Sequence, residues 1–194
     1  MKFYPPNAPV PERLQTDEFL LRPIRTGDSA IDYDAIVASR DLLRRRTGGK
    51  WPHIGFTAQA NRADLEQHAA EFRDRRAFTY ILLVPSEERC LGCVSIDPLG
   101  DGLRRTGATE DYSSTAAENQ ALVSFWVRSD VVPRDMDRYL LTGLLPWLSA
   151  EFAFSRIVFA SWNEDSRQIS VLQEAGLSRA PIPTKDKSAV VYFE

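Results

Sequence analysis

The chain has 194 residues, 43% of them hydrophobic and 26% charged, with a formal net charge of -3. That balance excludes a disordered or collagen-like chain and suits one globular domain with a sizeable core. The slight acidic excess gives no general attraction for nucleic acid or an anionic membrane, so small or neutral partners are expected.

Residues 1–15 open as MKFYPPNAPVPER, with four prolines and no apolar signal-like run. An extended N-terminal arm is expected there, neither signal peptide nor membrane anchor, with the folded domain spanning 16–194. Glu18 to Arg25 (EFLLRPIR) reads as a strand, and Thr-Gly-Asp after it as a turn into a helix near Ser29. Ile31, Ala35, Ile36, Ala38, Leu42 and Leu43 keep that helix going at mostly helical spacing until Arg44, Arg45 and Arg46 run into Thr-Gly-Gly. A loop from Lys50 to Thr57 carries Trp51, Pro52, His53 and Phe56, and a second helix is expected over Ala63 to Arg75.

Phe78 to Val84 and Cys90 to Asp97 are apolar runs joined by Pro-Ser-Glu-Glu-Arg, the pattern of an antiparallel hairpin. Cys90 and Cys93 have the spacing of a redox or half-zinc motif, but they sit inside a strand and no second cysteine pair exists. They read as two buried, reduced cysteines with no metal, which suits the cytoplasm. Leu99 to Asn119 is polar and reads as a long loop.

Ala121 to Val127 (ALVSFWV) is a strand buried on both faces. Met136 to Phe154 places Met136, Leu140, Leu144, Trp147, Leu148 and Phe152 on one helical face, interrupted by Pro146, where a kink or a split is expected. Arg156 to Ser161 is the next strand, parallel to the Ala121 strand because a helix separates them. A helix from Ser166 to Ala175 ends at Gly176, and Ala189 to Phe193 closes the chain as a strand.

This order, with Phe19-Leu-Leu-Arg-Pro and Asp28 near the start and Leu172-Gln-Glu-Ala-Gly-Leu near the end, resembles the GNAT (GCN5-related N-acetyltransferase) superfamily, most of all its ribosomal-protein acetylating branch. The resemblance covers the chain from about Thr16. It implies an α/β (α+β) fold, a single domain whose mixed central sheet splays between a parallel strand pair and is flanked by helices. It also implies acetyl-CoA as co-substrate, entering the V between those strands, and a cytoplasmic enzyme that acetylates a small-molecule amine or a protein N-terminus. A homodimer is compatible with it; a nucleic-acid or membrane partner is not expected.

Carried onto this chain, the resemblance places the cofactor against Phe125, Trp126, Val127 and Met136, with Asn163 and Ser166 beside the pantetheine. The pyrophosphate loop falls on Val132-Pro-Arg-Asp-Met-Asp, where Asp135 and Asp137 stand at the two main glycine positions. A carboxylate there blocks close backbone approach and repels phosphate. Asp135 and Asp137 also read as helix-capping residues, and Arg128, Arg134 and Arg138 as substitute phosphate partners. The triplet Arg44 to Arg46 reads as a solvated helix end or as a contact for the nucleotide phosphate.

Acetylating an amine requires removal of a proton from the ammonium. Glu118, followed by Asp97, is the nearest acid to the Ala121 strand. Leu172 stands where the family carries a tyrosine acid. Backbone N–H groups between Phe125 and Val127 are expected to meet the oxyanion, and Trp51 and Phe56 to line the acceptor pocket; His53 and His68 read as surface residues. The alternative reading is a non-catalytic protein of the same fold that binds or interacts after losing its phosphate loop.

Overall fold

A computed structural model describes residues 3–185 and 190–194. Eight strands form one sheet in the order β1-β2-β3-β4-β5-β6-β8-β7. They are β1 (Leu14–Gln15), β2 (Leu20–Pro23), β3 (Phe78–Leu83), β4 (Cys90–Pro98), β5 (Gln120–Val127), β6 (Arg156–Trp162), β7 (Arg179–Ala180) and β8 (Val190–Phe193). Ala189, expected to begin the last strand, lies outside the described residues. The helices are α1 (Ser29–Ala38), α2 (Arg40–Arg46), α3 (Ala58–Arg73), α4 (Leu99–Arg105), α5 (Glu110–Ser113), α6 (Met136–Glu151) and α7 (Ser166–Glu174). None of the described helices is long and apolar enough to cross a membrane.

Every neighbouring pair is antiparallel except β5 and β6. That parallel pair is in register only from Gln120↔Arg156 to Val123↔Phe159, although both strands continue. Beyond Val123 the two strands splay.

The strands alternate between two cores. Ala121, Val123, Phe125 and Val127 face α6 and α7 with Leu140, Leu144, Trp147 and Leu172, while Ile81, Leu83, Cys90 and Cys93 face α1 and α3 with Ala35 and Leu65. The N-terminal residues pack onto the first core: Tyr4 is 1% exposed, stacks edge-on with Phe78 and Phe154, and accepts a hydrogen bond from the Ala153 N–H. Arg22 and Asp28, both buried, pair through two 2.8 Å hydrogen bonds, and Asp28 also accepts from the Arg25 N–H. This bidentate pair ties β2 to the turn that starts α1.

Four expectations are corrected. The single helix after Ser29 breaks at Ser39, whose backbone leaves the helical region at φ -110° and ψ 10°. α3 begins at Ala58, because Thr57 caps it by accepting from the Ala60 N–H. α6 continues through Pro146 instead of splitting there, its apolar face held by the core. The stretch from Leu99 to Asn119 is not a plain loop but carries α4 and α5, and buried Leu99, Leu103 and Ala108 pack on Leu122, Val158 and Tyr192.

Candidate active site

The splay opens a cavity of about 240 Å³ at the carboxyl ends of β5 and β6, lined by Phe125 and Val127 of β5, Asp137 of α6, Arg167 and Gln168 of α7, and Arg45 and Arg46 of α2. Gln168 spans the opening. Its Nε2 donates to the Phe125 carbonyl at 2.9 Å and its Oε1 accepts from the Ser161 hydroxyl at 3.0 Å, joining the two strands where their own pairing has stopped.

At the entrance to α6, Asp135 stands at the N-cap with φ 58° and ψ 27° and caps nothing with its side chain. It keeps the left-handed backbone for which glycine is usual and which aspartate tolerates better than most residues. Neither aspartate of the loop is a conventional cap. Arg167, at the start of α7, grips both: its Nε is 2.7 Å and its Nη2 2.8 Å from the Asp137 carboxylate, and Nη2 is 2.8 Å from Asp135. These hydrogen bonds hold the Asp135 carboxyl below its usual range and the guanidinium firmly protonated.

Arg46 enters the same cleft from α2 and forms an ion pair with Asp165, the N-cap of α7. Its Nε and Nη1 are buried without a hydrogen-bond partner, and burial lowers its pKa. A guanidinium in that position is short of acceptor oxygens.

The arginines proposed from sequence lie elsewhere. Arg128 is buried between Asp34 and Asp130, and Arg138 pairs with Glu174 and Asp135. Arg134 lines neither the cleft nor the larger cavity described next. Met136 opens α6 half-buried against the core; Asn163 and Ser166 are exposed in and after the turn leaving β6. Trp51 and Phe56 pack with Ile36, Leu43 and Trp126 in a small core under α2 and line neither cavity.

A second, larger cavity of about 770 Å³ lies on the α3 face of the sheet, with Ser95 and Asp97 of β4, Thr79 of β3 and Ser124 of β5 on its floor. The three hydroxyl residues form one row, because Thr79 pairs with Ser95 and Ser95 with Ser124. Asp97 and Glu118, the two acids expected from sequence, line this cavity together. Glu118 is exposed, whereas Asp97 is largely buried, 2.6 Å from Arg105 of α4; burial pushes its carboxyl above the usual range against the pull of that arginine.

α3 adds His68 and Glu71 to the wall. The His68 Nδ1 is 3.4 Å from the Thr79 hydroxyl and 3.5 Å from the Glu71 carboxylate. Sequence reading set His68 down as a surface residue and did not single out Glu71. Their i, i+3 spacing puts them on one helix face, but nothing local tells that this face overlooks β4. Arg167 and Gln168 were likewise missed as cleft residues, since their partners lie on other elements, whereas Arg45 and Arg46 belong to the triplet read as a solvated helix end or a phosphate contact.

No protein-family model matches the chain, and no curated protein matches it in sequence. Solved structures do match. RimL, a ribosomal L7/L12 α-N-protein acetyltransferase in complex with coenzyme A, superposes with a TM-score of 0.70 at 11% identity, covering 94% of this chain and 96% of that one. The ribosomal-protein-S5-alanine acetyltransferase from Vibrio fischeri gives 0.67 at 14% identity, over 94% and 95%. The microcin C7 self-immunity acetyltransferase MccE, in complex with acetyl-CoA and AMP, gives 0.66 at 13% identity, over 92% of each chain. At such identities the likeness is one of architecture: this chain has the fold of the GNAT acetyltransferases.

Proposed function

We propose that the protein is a cytoplasmic N-acetyltransferase that moves an acetyl group from acetyl-CoA directly to an amine, either a small molecule or a protein N-terminus. The observation that carries this reading is that Ser124 and Phe125, adjacent on β5, border different cavities, the larger one and the cleft. A donor held in the cleft and an acceptor held over Asp97 would therefore meet at one peptide of one strand.

The cleft residues suit the donor in part. Two buried N–H groups of Arg46 without acceptors are what phosphate oxygens would satisfy, and Arg45 and Arg167 line the same space. Asp135 and Asp137 oppose it by holding Arg167. When bound, acetyl-CoA supplies an activated acyl carbonyl and a thiolate leaving group.

The chain's own groups supply the rest. Asp97, a carboxyl with a raised pKa inside the acceptor cavity, takes the proton from the acceptor ammonium. Glu118, exposed at the same cavity, favours a cationic acceptor. Backbone N–H groups of the Phe125 to Val127 segment are the donors available to a developing oxyanion. Cys90 and Cys93 line neither cavity, which supports direct transfer over an acyl-cysteine route.

The grip of Arg167 on Asp137 favours one second reading, a non-catalytic protein of this fold whose cleft is closed by its own residues. Calorimetry with acetyl-CoA, followed by product detection with an amine panel that includes peptide N-termini, separates the two. Saturable one-to-one binding and acetylated product support the enzyme; no binding at millimolar acetyl-CoA rejects it.

A further inference from the structure

We propose that Asp32, Cys90 and Cys93 form a buried zinc site, with two thiolates and one carboxylate as ligands. In a regular strand, residues three apart point to opposite faces. Here the pairing of β3 with β4 slips between Leu82 and Leu83, and Gly92, between the two cysteines, adopts φ 147°. Only glycine fits: a Cβ at Gly92 would stand 2.0 Å from the Trp126 carbonyl oxygen. The irregularity puts both thiols into the core under α1 and α3, where α1 presents Asp32 to them.

The Asp32 Oδ1 is 3.5 Å from the Cys93 sulfur and 3.9 Å from that of Cys90, and the three candidate ligand atoms lie within 4.8 Å of one another. Zinc bonds of about 2.3 Å to sulfur and about 2.0–2.2 Å to oxygen make the edges of a tetrahedron roughly 3.5–3.8 Å long. The cluster is already near that size.

Charge supplies the second argument. Asp32 is 2% exposed and has no ion-pair partner among the described residues. Its close partners are neutral, the two thiols and the buried amide of Asn61. A buried carboxyl is paired with a cation, coordinates one or takes up a proton; burial pushes that of Asp32 above its usual range, so the proton stays until a cation displaces it. A set of two sulfurs and one oxygen selects zinc over magnesium or calcium, which take oxygen ligands. On binding, two Zn–S bonds and one Zn–O bond form as two S–H bonds break, the thiol protons and any proton on the Asp32 carboxyl pass to solvent, and one water kept from the ion's hydration shell takes the fourth position.

The three residues line neither cavity, so the ion would pin α1 to β4 rather than take part in acyl transfer. The proposal stands or falls independently of the acetyltransferase reading.

The test loads the full chain with zinc or cobalt(II) during refolding from chelator-treated, reduced protein, then removes loose metal by gel filtration. One metal per chain is expected, with intense near-ultraviolet thiolate-to-cobalt absorption and protection of both thiols from a thiol reagent. Cys90→Ser and Cys93→Ser should each abolish the absorption, and Asp32→Asn should weaken zinc binding at least about tenfold. Should these variants not fold, wild-type stoichiometry and spectrum decide alone. A metal content near zero, cobalt bound without the charge-transfer band, or two thiols equally reactive with and without zinc would each overturn the proposal.

Discussion

Gln168 gives its side-chain N–H to the carbonyl of Phe125 at 2.9 Å, the backbone acceptor that the splay of β5 from β6 leaves without a strand partner. A glutamine from α7 thus fills the role that a ligand amide would fill in an open V. Replacing it by alanine strands a buried carbonyl, which costs about 1–3 kcal/mol, and a cofactor amide could repay that cost. For Gln168→Ala, we expect a lower melting temperature without ligand and a larger upward shift with acetyl-CoA than wild type shows. Scanning calorimetry with and without the cofactor reads both quantities, and an unchanged ligand shift would mean that Phe125 is not a ligand acceptor.

Asp137 restrains Arg167 as Gln168 restrains Phe125. Its side chain is 8% exposed, whereas that of Arg167 is 39% exposed, so removing the carboxylate leaves a solvated guanidinium held by Asp135 alone, with its Nε free to meet phosphate. Asp137→Ala is expected to tighten acetyl-CoA binding by about tenfold, the size of one charge-assisted contact. Adding Arg167→Ala should cancel the gain, and Arg134→Ala should change little, since Arg134 lies outside the cleft lining. Pyrophosphate titrated alone should follow the same order of affinities. Equal affinities across the series would place phosphate elsewhere.

How far the sequence revealed this arrangement differs from element to element. ALVSFWV read as a central strand, and β5 indeed spans Gln120–Val127; a seven-residue apolar run rich in valine and aromatic residues is short for a buried helix and suits a buried strand. The hairpin of β3 and β4 was equally plain. α4 was not, because its apolar signal is only Leu99 and Leu103 among glycines and charges, and its helix rests on packing against Leu122. In the site, Asp97 and Glu118 were legible by their nearness to β5. Arg167 was not, and Arg46 only as one of a triplet, because periodicity does not tell which charged residue of a helix end turns inward, and Asp165 lies 119 positions from the arginine it meets.

The raised pKa of Asp97 sets a direction for the pH dependence. As a base the carboxyl works only when ionised, so the acid limb of kcat/KM should lie above the ordinary carboxylate range and vanish in Asp97→Asn, with kcat down about 10²–10⁴-fold. Stability runs the opposite way. A carboxyl whose folded pKa exceeds its unfolded one contributes stability below the unfolded value and loses it as pH rises through the folded value. At neutral pH the asparagine variant should therefore unfold no more easily than wild type, since the Arg105 partner is 59% exposed and the pair adds little. A variant that loses activity together with its fold would contradict a catalytic assignment.

Gly102 offers a separate handle on the acceptor side. It lies in α4 with no positive φ, and a Cβ added there would stand 2.6 Å from Leu122 Cδ2 and 2.9 Å from Leu122 Cβ. The first contact is with the end of a flexible side chain; the second adjoins the backbone of β5 and cannot give way. Gly102→Val should therefore lift α4 from the sheet and cost about 1–3 kcal/mol, the usual penalty of overpacking. Gly27→Ala, where no atom lies within 4 Å of the new Cβ, should be close to neutral. Because α4 carries Leu99, Gly100, Asp101, Arg104 and Arg105 along the larger cavity, its displacement should raise the KM for the amine while acetyl-CoA affinity holds. If Gly102→Val weakened the cofactor and spared the amine instead, the two faces of β5 would have to exchange roles, with the acceptor entering through the V.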